Sequence, residues 1–158
     1  MGQSVAEIVA ASIREYRDVP GGLLPLLHAI QAAAGYIPGD AVPQVASAMH
    51  LSRAEVHGVI SFYHDFRSAP AGRHLLQICR AESCQAMGAR ALETHAKASL
   101  GIDYGGTTAD GSISLEPVYC LGVCACSPSV RLDDEVHARV DPARLDQLLA
   151  RLADEAAQ

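Results

Sequence analysis

Cys79 and Cys84 are separated by four residues, Cys120 and Cys124 by three, and 35 residues lie between the two pairs. A fold that uses both pairs has to bring two loops, distant along the chain, to one place. Four thiolates gathered in this way supply the ligands of a dinuclear [2Fe-2S] centre. They also suit zinc, whose structural ligands commonly come in pairs two to four residues apart. Spacing alone points first to iron-sulfur and leaves zinc open. The first reading implies one-electron transfer; the second implies a zinc-stabilised interaction module with no redox role. A fifth cysteine, Cys126, stands two residues beyond Cys124 and could replace it as a ligand. Cys124 is preferred because it closes the short loop Leu121-Gly122-Val123, which leaves Cys126 just outside the ligand set. Gly122 lets the backbone approach closely, and peptide N–H groups of such loops hydrogen-bond ligand sulfurs and tune the metal.

Five cysteines is an odd number for a disulfide framework. In a reducing compartment such a cluster reads as metal or redox ligands. No apolar run approaches the roughly 18 residues of a membrane span, and no secretory signal is recognisable at the N-terminus. The expectation is a cytoplasmic protein with no membrane insertion. Eighteen acidic residues against twelve basic ones give a net charge of −6, with Lys97 the only lysine and no tryptophan. Without a basic block or stacking platform, nucleic acid is excluded as an expected partner.

The chain changes character near residues 68–72. Before that point it reads as helices separated by breakers. Ser4 and Glu7 form a capping box, and Pro20-Gly21-Gly22 stops the helix they open. A second helix is expected over Leu23–Ala34, ended by Gly35 and Pro38. Asp40 is expected to cap a short third. Ser52 and Glu55 form a second capping box, with Leu51 and Val56 as a hydrophobic staple. Phe62, Tyr63 and Phe66 are expected to pack the small helical domain. After Gly72, His74–Cys79 reads as a strand ending at the first cysteine. A long helix is expected over about Gln85–Leu100, with Met87, Ala91, Leu92, His95 and Leu100 on its apolar side and Gly101 beyond its end. Ile113–Tyr119 suits an edge strand or two short pieces, because Pro117 interrupts it. Val130–Leu132 and Val136–Val140 flank the polar turn Asp133-Asp134-Glu135 as antiparallel strands. Asp141-Pro142 starts a last helix, whose Leu145, Leu148, Leu149 and Leu152 form a core stripe. The domains expected are residues 1–68, a helical bundle, and 72–158, an α+β domain carrying the cysteines.

No other chemistry competes. His57 and His64 are seven apart, too far for a metal pair on one helix. No Ser/His/Asp or Cys/His nucleophile pattern occurs, so no catalytic residue is assigned. Tyr104-Gly105-Gly106 lacks the strand-before, helix-after setting of a dinucleotide fingerprint.

Gly35-Tyr36-Ile37-Pro38, the run Val56-His57-Gly58-Val59-Ile60-Ser61-Phe62-Tyr63, Cys79 with Cys84, and Cys120-Leu121-Gly122-Val123-Cys124 together resemble the [2Fe-2S] 24 kDa subunit family of respiratory complex I. The resemblance implies a helical bundle followed by a thioredoxin-like ferredoxin domain, with Cys79, Cys84, Cys120 and Cys124 as cluster ligands. It favours iron-sulfur over zinc. Within that family, Cys124-Ala125-Cys126-Ser127-Pro128 and Ser61-Phe62-Tyr63-His64-Asp65-Phe66 are most similar to the gamma subunit of soluble, molybdenum-containing, NAD-dependent formate dehydrogenase. Where many complex I relatives have glycine, this chain has Ala125 or Cys126. The narrower resemblance implies a non-catalytic electron-transfer subunit that exchanges one electron with FMN on an NAD-binding beta flavoprotein. The molybdenum cofactor, FMN, NAD and further clusters would lie on partner chains, the alpha subunit among them. The equivalent subunit of complex I itself or of an NAD-reducing hydrogenase is the alternative.

Overall fold

A computed structural model describes residues 3–156, with side chains placed as far as Leu152. Residues 1–2 and 157–158, the outer ends of the two expected domains, lie outside the described residues. Contacts divide the chain into two compact units, residues 1–71 and 72–158.

The first unit contains α1 (Val5–Tyr16), α2 (Leu23–Ala34), α3 (Ala41–Ala48) and α4 (Arg53–Phe62). Both capping boxes form. The Ser4 amide donates to Glu7 Oε2 at 2.7 Å, and the Ser52 amide donates to Glu55 Oε2 at 2.7 Å. In each box the serine hydroxyl accepts from the glutamate amide in return, which pairs two otherwise orphaned donors. Asp40 sits at the N-cap of α3 but does not cap it as expected: its backbone is already helical and its side chain makes no capping bond. Gly35 ends α2 at φ 83°, where a Cβ would strain the backbone. Val9, Leu26, Leu27, Ile30, Val45 and Val56, each almost fully buried, make the core these helices share.

The aromatic expectation holds only for Phe66. Phe62 is 73 % exposed and Tyr63 42 %, whereas Phe66 is buried against the His28 ring. The division follows from Gln31, a buried side chain of α2. Its Nε2 donates to the Asp65 carbonyl at 2.7 Å and its Oε1 accepts from the Arg67 amide at 2.7 Å. Those two bonds hold the backbone on either side of Phe66 and commit that ring to the core. Phe62 ends α4 on its outer side and stacks edge-on with Tyr63 instead.

The second unit is a mixed five-stranded sheet in the order β2-β3-β1-β4-β5. Its strands are β1 (His74–Cys79), β2 (Gly106–Thr107), β3 (Ile113–Val118), β4 (Ser129–Leu132) and β5 (Glu135–Ala138). β1 is central, parallel to β3 and antiparallel to β4. Register places Leu76 beside Leu115 and Leu132, and Ile78 beside Val130, so these side chains share one face. Helices α6 (Ala89–Leu100) and α7 (Pro142–Ala156) bury that face with Leu92, Ala96, Leu145, Leu148 and Leu152. Asp141 caps α7 by accepting from the Arg144 amide at 2.8 Å.

Three expectations are corrected here. The long helix is broken: α5 (Glu82–Ala86) ends before Met87, and α6 starts after Gly88 at φ 101°. A residue with positive φ cannot continue an α-helix, so the axis turns there and Met87 projects outward at 62 % exposure. Ala91 is likewise exposed, and His95 bonds Asp146 of α7 at 2.7 Å rather than entering the core. β3 is not an edge strand. It lies between β2 and β1, and Pro117 is tolerated because β2 reaches only Ser114 and Leu115. The turn joining β4 to β5 is Asp133-Asp134 alone, since Glu135 already pairs with Leu132 and Asp133 adopts φ 52°.

Candidate metal centre

Cys79 is the last residue of β1, and parallel pairing sets it beside Val118, two residues before Cys120. The sheet thus delivers the first cysteine and the loop of the third to the same end. Cys84 lies inside α5. Cys79 and Cys84 are buried together with Ala89, and Ala81, Val118 and Leu121 pack around them. Cys120 and Cys124 are exposed, with their sulfurs 3.6 Å apart. Cys120 itself adopts φ 120°, a conformation rare for a residue with a Cβ, and Gly122 follows at φ 79°. This winding lets the Gly122 amide donate to Cys120 Sγ at 3.3 Å. Cys124 opens the 3-10 turn Cys124–Cys126. Cys126 is half-buried on that turn; its amide donates to the Val123 carbonyl and its carbonyl accepts from the Arg139 amide.

The two buried thiols differ. Burial pushes Cys79 up, against the pull of the Ala81 and Leu121 amides. Burial opposes ionisation of Cys84 too, yet the hydroxyls of Ser127 and Ser129 and the Cys79 thiol outweigh it and bring Cys84 down. At the exposed pair, the hydrogen bond with Cys120 and then the charge of Cys120 raise the Cys124 thiol, and burial, Cys84 and Cys79 add to the effect. Leu121 packs against Cys79 and Cys84, and Ser83, next to Cys84, donates its hydroxyl to the Cys124 carbonyl at 3.0 Å, so the two pairs lie at the same end of the sheet. Among the described residues, no three or more His, Cys, Asp or Glu side chains are grouped to hold a single metal ion. The thiols come as two pairs, an inner and an outer one, and four thiolates are the donor set that would hold a [2Fe-2S] cluster.

A charged cluster anchors the segment after Cys79. Arg80 Nε lies 3.1 Å from Glu93 Oε2, and Lys97 Nζ lies 2.7 Å from Glu93 Oε1 and 2.8 Å from Asp103 Oδ1. Both cations also sit over the Tyr104 ring, at 5.5 and 4.4 Å from its centroid. The sole lysine is thereby absorbed into structure.

Residues 9–153 match the family model of the thioredoxin-like [2Fe-2S] ferredoxins. This chain belongs to that family. A subunit of the NADH-quinone oxidoreductase of Rhizobium meliloti (strain 1021) is 40 % identical over 143 residues, covering 90 % of this chain and 84 % of the relative. NADP-reducing hydrogenase subunit HndA of Solidesulfovibrio fructosivorans is 35 % identical over 130 residues, covering 82 % and 76 %. Among solved structures, the air-oxidised NAD+-reducing [NiFe]-hydrogenase contains a chain that superposes with a TM-score of 0.69 at 28 % identity, over 88 % of this ferredoxin. The ferredoxin spans only 24 % of that longer hydrogenase chain. The family is one of oxidoreductase electron-transfer subunits. Among the described residues no helix is long and apolar enough to cross a membrane.

Sequence reading did not find Ser83, Ser127 and Ser129, whose hydroxyls gather at Cys84 and at the Cys124 carbonyl. Serine is too common for its identity to signal a role, and the meetings of Ser83 with the Cys124 carbonyl and of Ser127 and Ser129 with Cys84 span more than 40 residues of chain.

Proposed function

We propose that this ferredoxin is an electron-transfer subunit that holds one [2Fe-2S] cluster on Cys79, Cys84, Cys120 and Cys124 and works beside the FMN of an NAD-binding partner subunit. The observation that carries the reading is the meeting of an inner and an outer thiol pair at one end of the sheet, in a chain of this family. When bound, such a cluster takes up and gives back a single electron. The chain's own residues do the rest. Cys79 and Cys84 provide a dry wall, Cys120 and Cys124 a face open to solvent, and the Gly122 amide a hydrogen bond to the Cys120 sulfur. Substrate chemistry would reside on other subunits.

The assembly we assign is a soluble NAD-dependent molybdenum formate dehydrogenase, in which this chain is the gamma subunit. Support comes from the stretches Cys124-Ala125-Cys126-Ser127-Pro128 and Ser61-Phe62-Tyr63-His64-Asp65-Phe66. A second reading, the same role in an NADH-quinone oxidoreductase, is favoured by the 40 % identity to the Rhizobium meliloti protein.

Anaerobic purification with iron, acid-labile sulfide and zinc analysis, followed by electron paramagnetic resonance after dithionite reduction, tests the cluster. Two irons, two sulfides and a rhombic spin-one-half signal per chain are expected; one zinc and no signal would overturn the redox role. Affinity purification from the native host decides the assembly. A molybdenum-containing chain recovered with a flavoprotein supports formate dehydrogenase, and quinone-linked subunits would replace that assignment.

A further inference from the structure

Cys84 Sγ lies 3.4 Å from Ser127 Oγ and 3.5 Å from Ser129 Oγ, and both serines are buried. Ser127 Oγ also donates to the Cys124 carbonyl at 2.9 Å, and Ser83 Oγ stands 2.9 Å from Ser127 Oγ and 3.0 Å from that same carbonyl. One sulfur and one carbonyl are therefore served by three hydroxyls. In the free thiol the protons run in sequence: Cys84 donates to Ser127, and Ser127 donates to the Cys124 carbonyl.

A metal-bound cysteine carries no proton and can only accept. For Ser127 to donate to the sulfur it must release the Cys124 carbonyl, to which Ser83 also donates, so that acceptor stays paired when Ser127 turns away. Ser129 can donate to Cys84 with no rearrangement. Every polar group stays paired in both arrangements, which matters because a buried acceptor left bare is costly.

We propose that Ser127 and Ser129 are positioning residues that donate two hydrogen bonds to the Cys84 sulfur of the bound cluster and raise its reduction potential, and that Ser83 frees Ser127 for this task by keeping the Cys124 carbonyl paired. The proposal rests on the cluster reading above. Its physical basis is that reduction adds negative charge to the cluster and its sulfurs, and hydrogen-bond donors stabilise the more negative state. With the inner pair shut off from water, hydroxyls stand where solvent would otherwise stabilise that charge.

Redox titration of the purified chain, followed by the spin signal of the reduced cluster, tests it with S127A, S129A, S83A and the S83A/S127A double variant. S127A and S129A are expected to shift the midpoint to lower potential at unchanged iron content. S83A, which removes a hydroxyl that does not touch the sulfur, is expected to shift it as far as S127A does, and the double variant no further than S127A alone. Midpoints equal to wild type in S127A and S129A overturn the proposal; a wild-type midpoint in S83A overturns the exchange of partners. Ser83 is only half-buried, so S83A remains a test if alanine at the buried serines prevents loading. Absence of a spin signal from the wild-type chain would instead refute the cluster itself, a result distinguishable from any change in its midpoint.

Discussion

Cys120 and Cys124 hold their sulfurs 3.6 Å apart at an exposed edge, three residues of loop between them, and Cys126 shares the turn that Cys124 opens. Alanine at Cys79, Cys84, Cys120 or Cys124 is expected to abolish the spin signal of the reduced protein and to cut iron content severely. C126A is expected to retain both. Iron analysis and electron paramagnetic resonance of the five variants check this, and loss of the signal in C126A with retention in C124A would exchange the two assignments.

Gln31 is the only side chain bonded to both Asp65 and Arg67 backbone among the described contacts. Replacing it with leucine keeps the bulk and strands a carbonyl and an amide. The expected cost is about 2 kcal/mol or more, from two partly buried groups left unpaired. Thermal unfolding followed by circular dichroism measures it, and a variant as stable as wild type would show that water replaces the amide.

Leu145 is fully buried where α7 meets the sheet. L145A is expected to destabilise by roughly 2–5 kcal/mol, through lost apolar contact and the cavity left behind. Denaturant unfolding of the metal-free chain gives the number without interference from cluster loss.

The Asp110 carboxyl is held down at about 2, chiefly by the Thr108 hydroxyl and then by the Ser112 hydroxyl and amide. The folded state therefore binds this proton less readily than the unfolded chain does. Its stabilising contribution is complete above the ordinary carboxylate range near 3.8 and fades as pH falls toward 2. D110N is expected to be less stable than wild type at pH 6, with the difference narrowing below pH 4. Denaturant unfolding of the metal-free chain at several pH values reads the gap, and carbon NMR of the Asp110 carboxyl locates its midpoint directly.

What the sequence made legible was local. The capping boxes at Ser4 and Ser52, the Asp141 cap and β1 depend on residues within a few positions of each other, and each forms where its residues indicate. The outward turn of Phe62 and Tyr63 was hidden because Gln31, which selects Phe66 instead, lies more than 30 residues away. Gly88 was hidden for a different reason: a helical apolar pattern runs across it, and only the backbone conformation separates α5 from α6. At the candidate centre the cysteines announced themselves by spacing. The serines around Cys84 did not, since they are carried on and just before β4 and reach the sulfur only when the sheet forms. The interior position of β3 was equally invisible, because it depends on a two-residue partner strand.

With Cys79 and Cys84 buried and Cys120 and Cys124 exposed, the proposed centre meets solvent on the side of its outer sulfurs. A partner that supplies or collects an electron and an oxidant that wastes it would enter by the same route. If the proposed assembly seats a partner over the outer sulfurs, that one contact would serve as both the electrical connection and the cork.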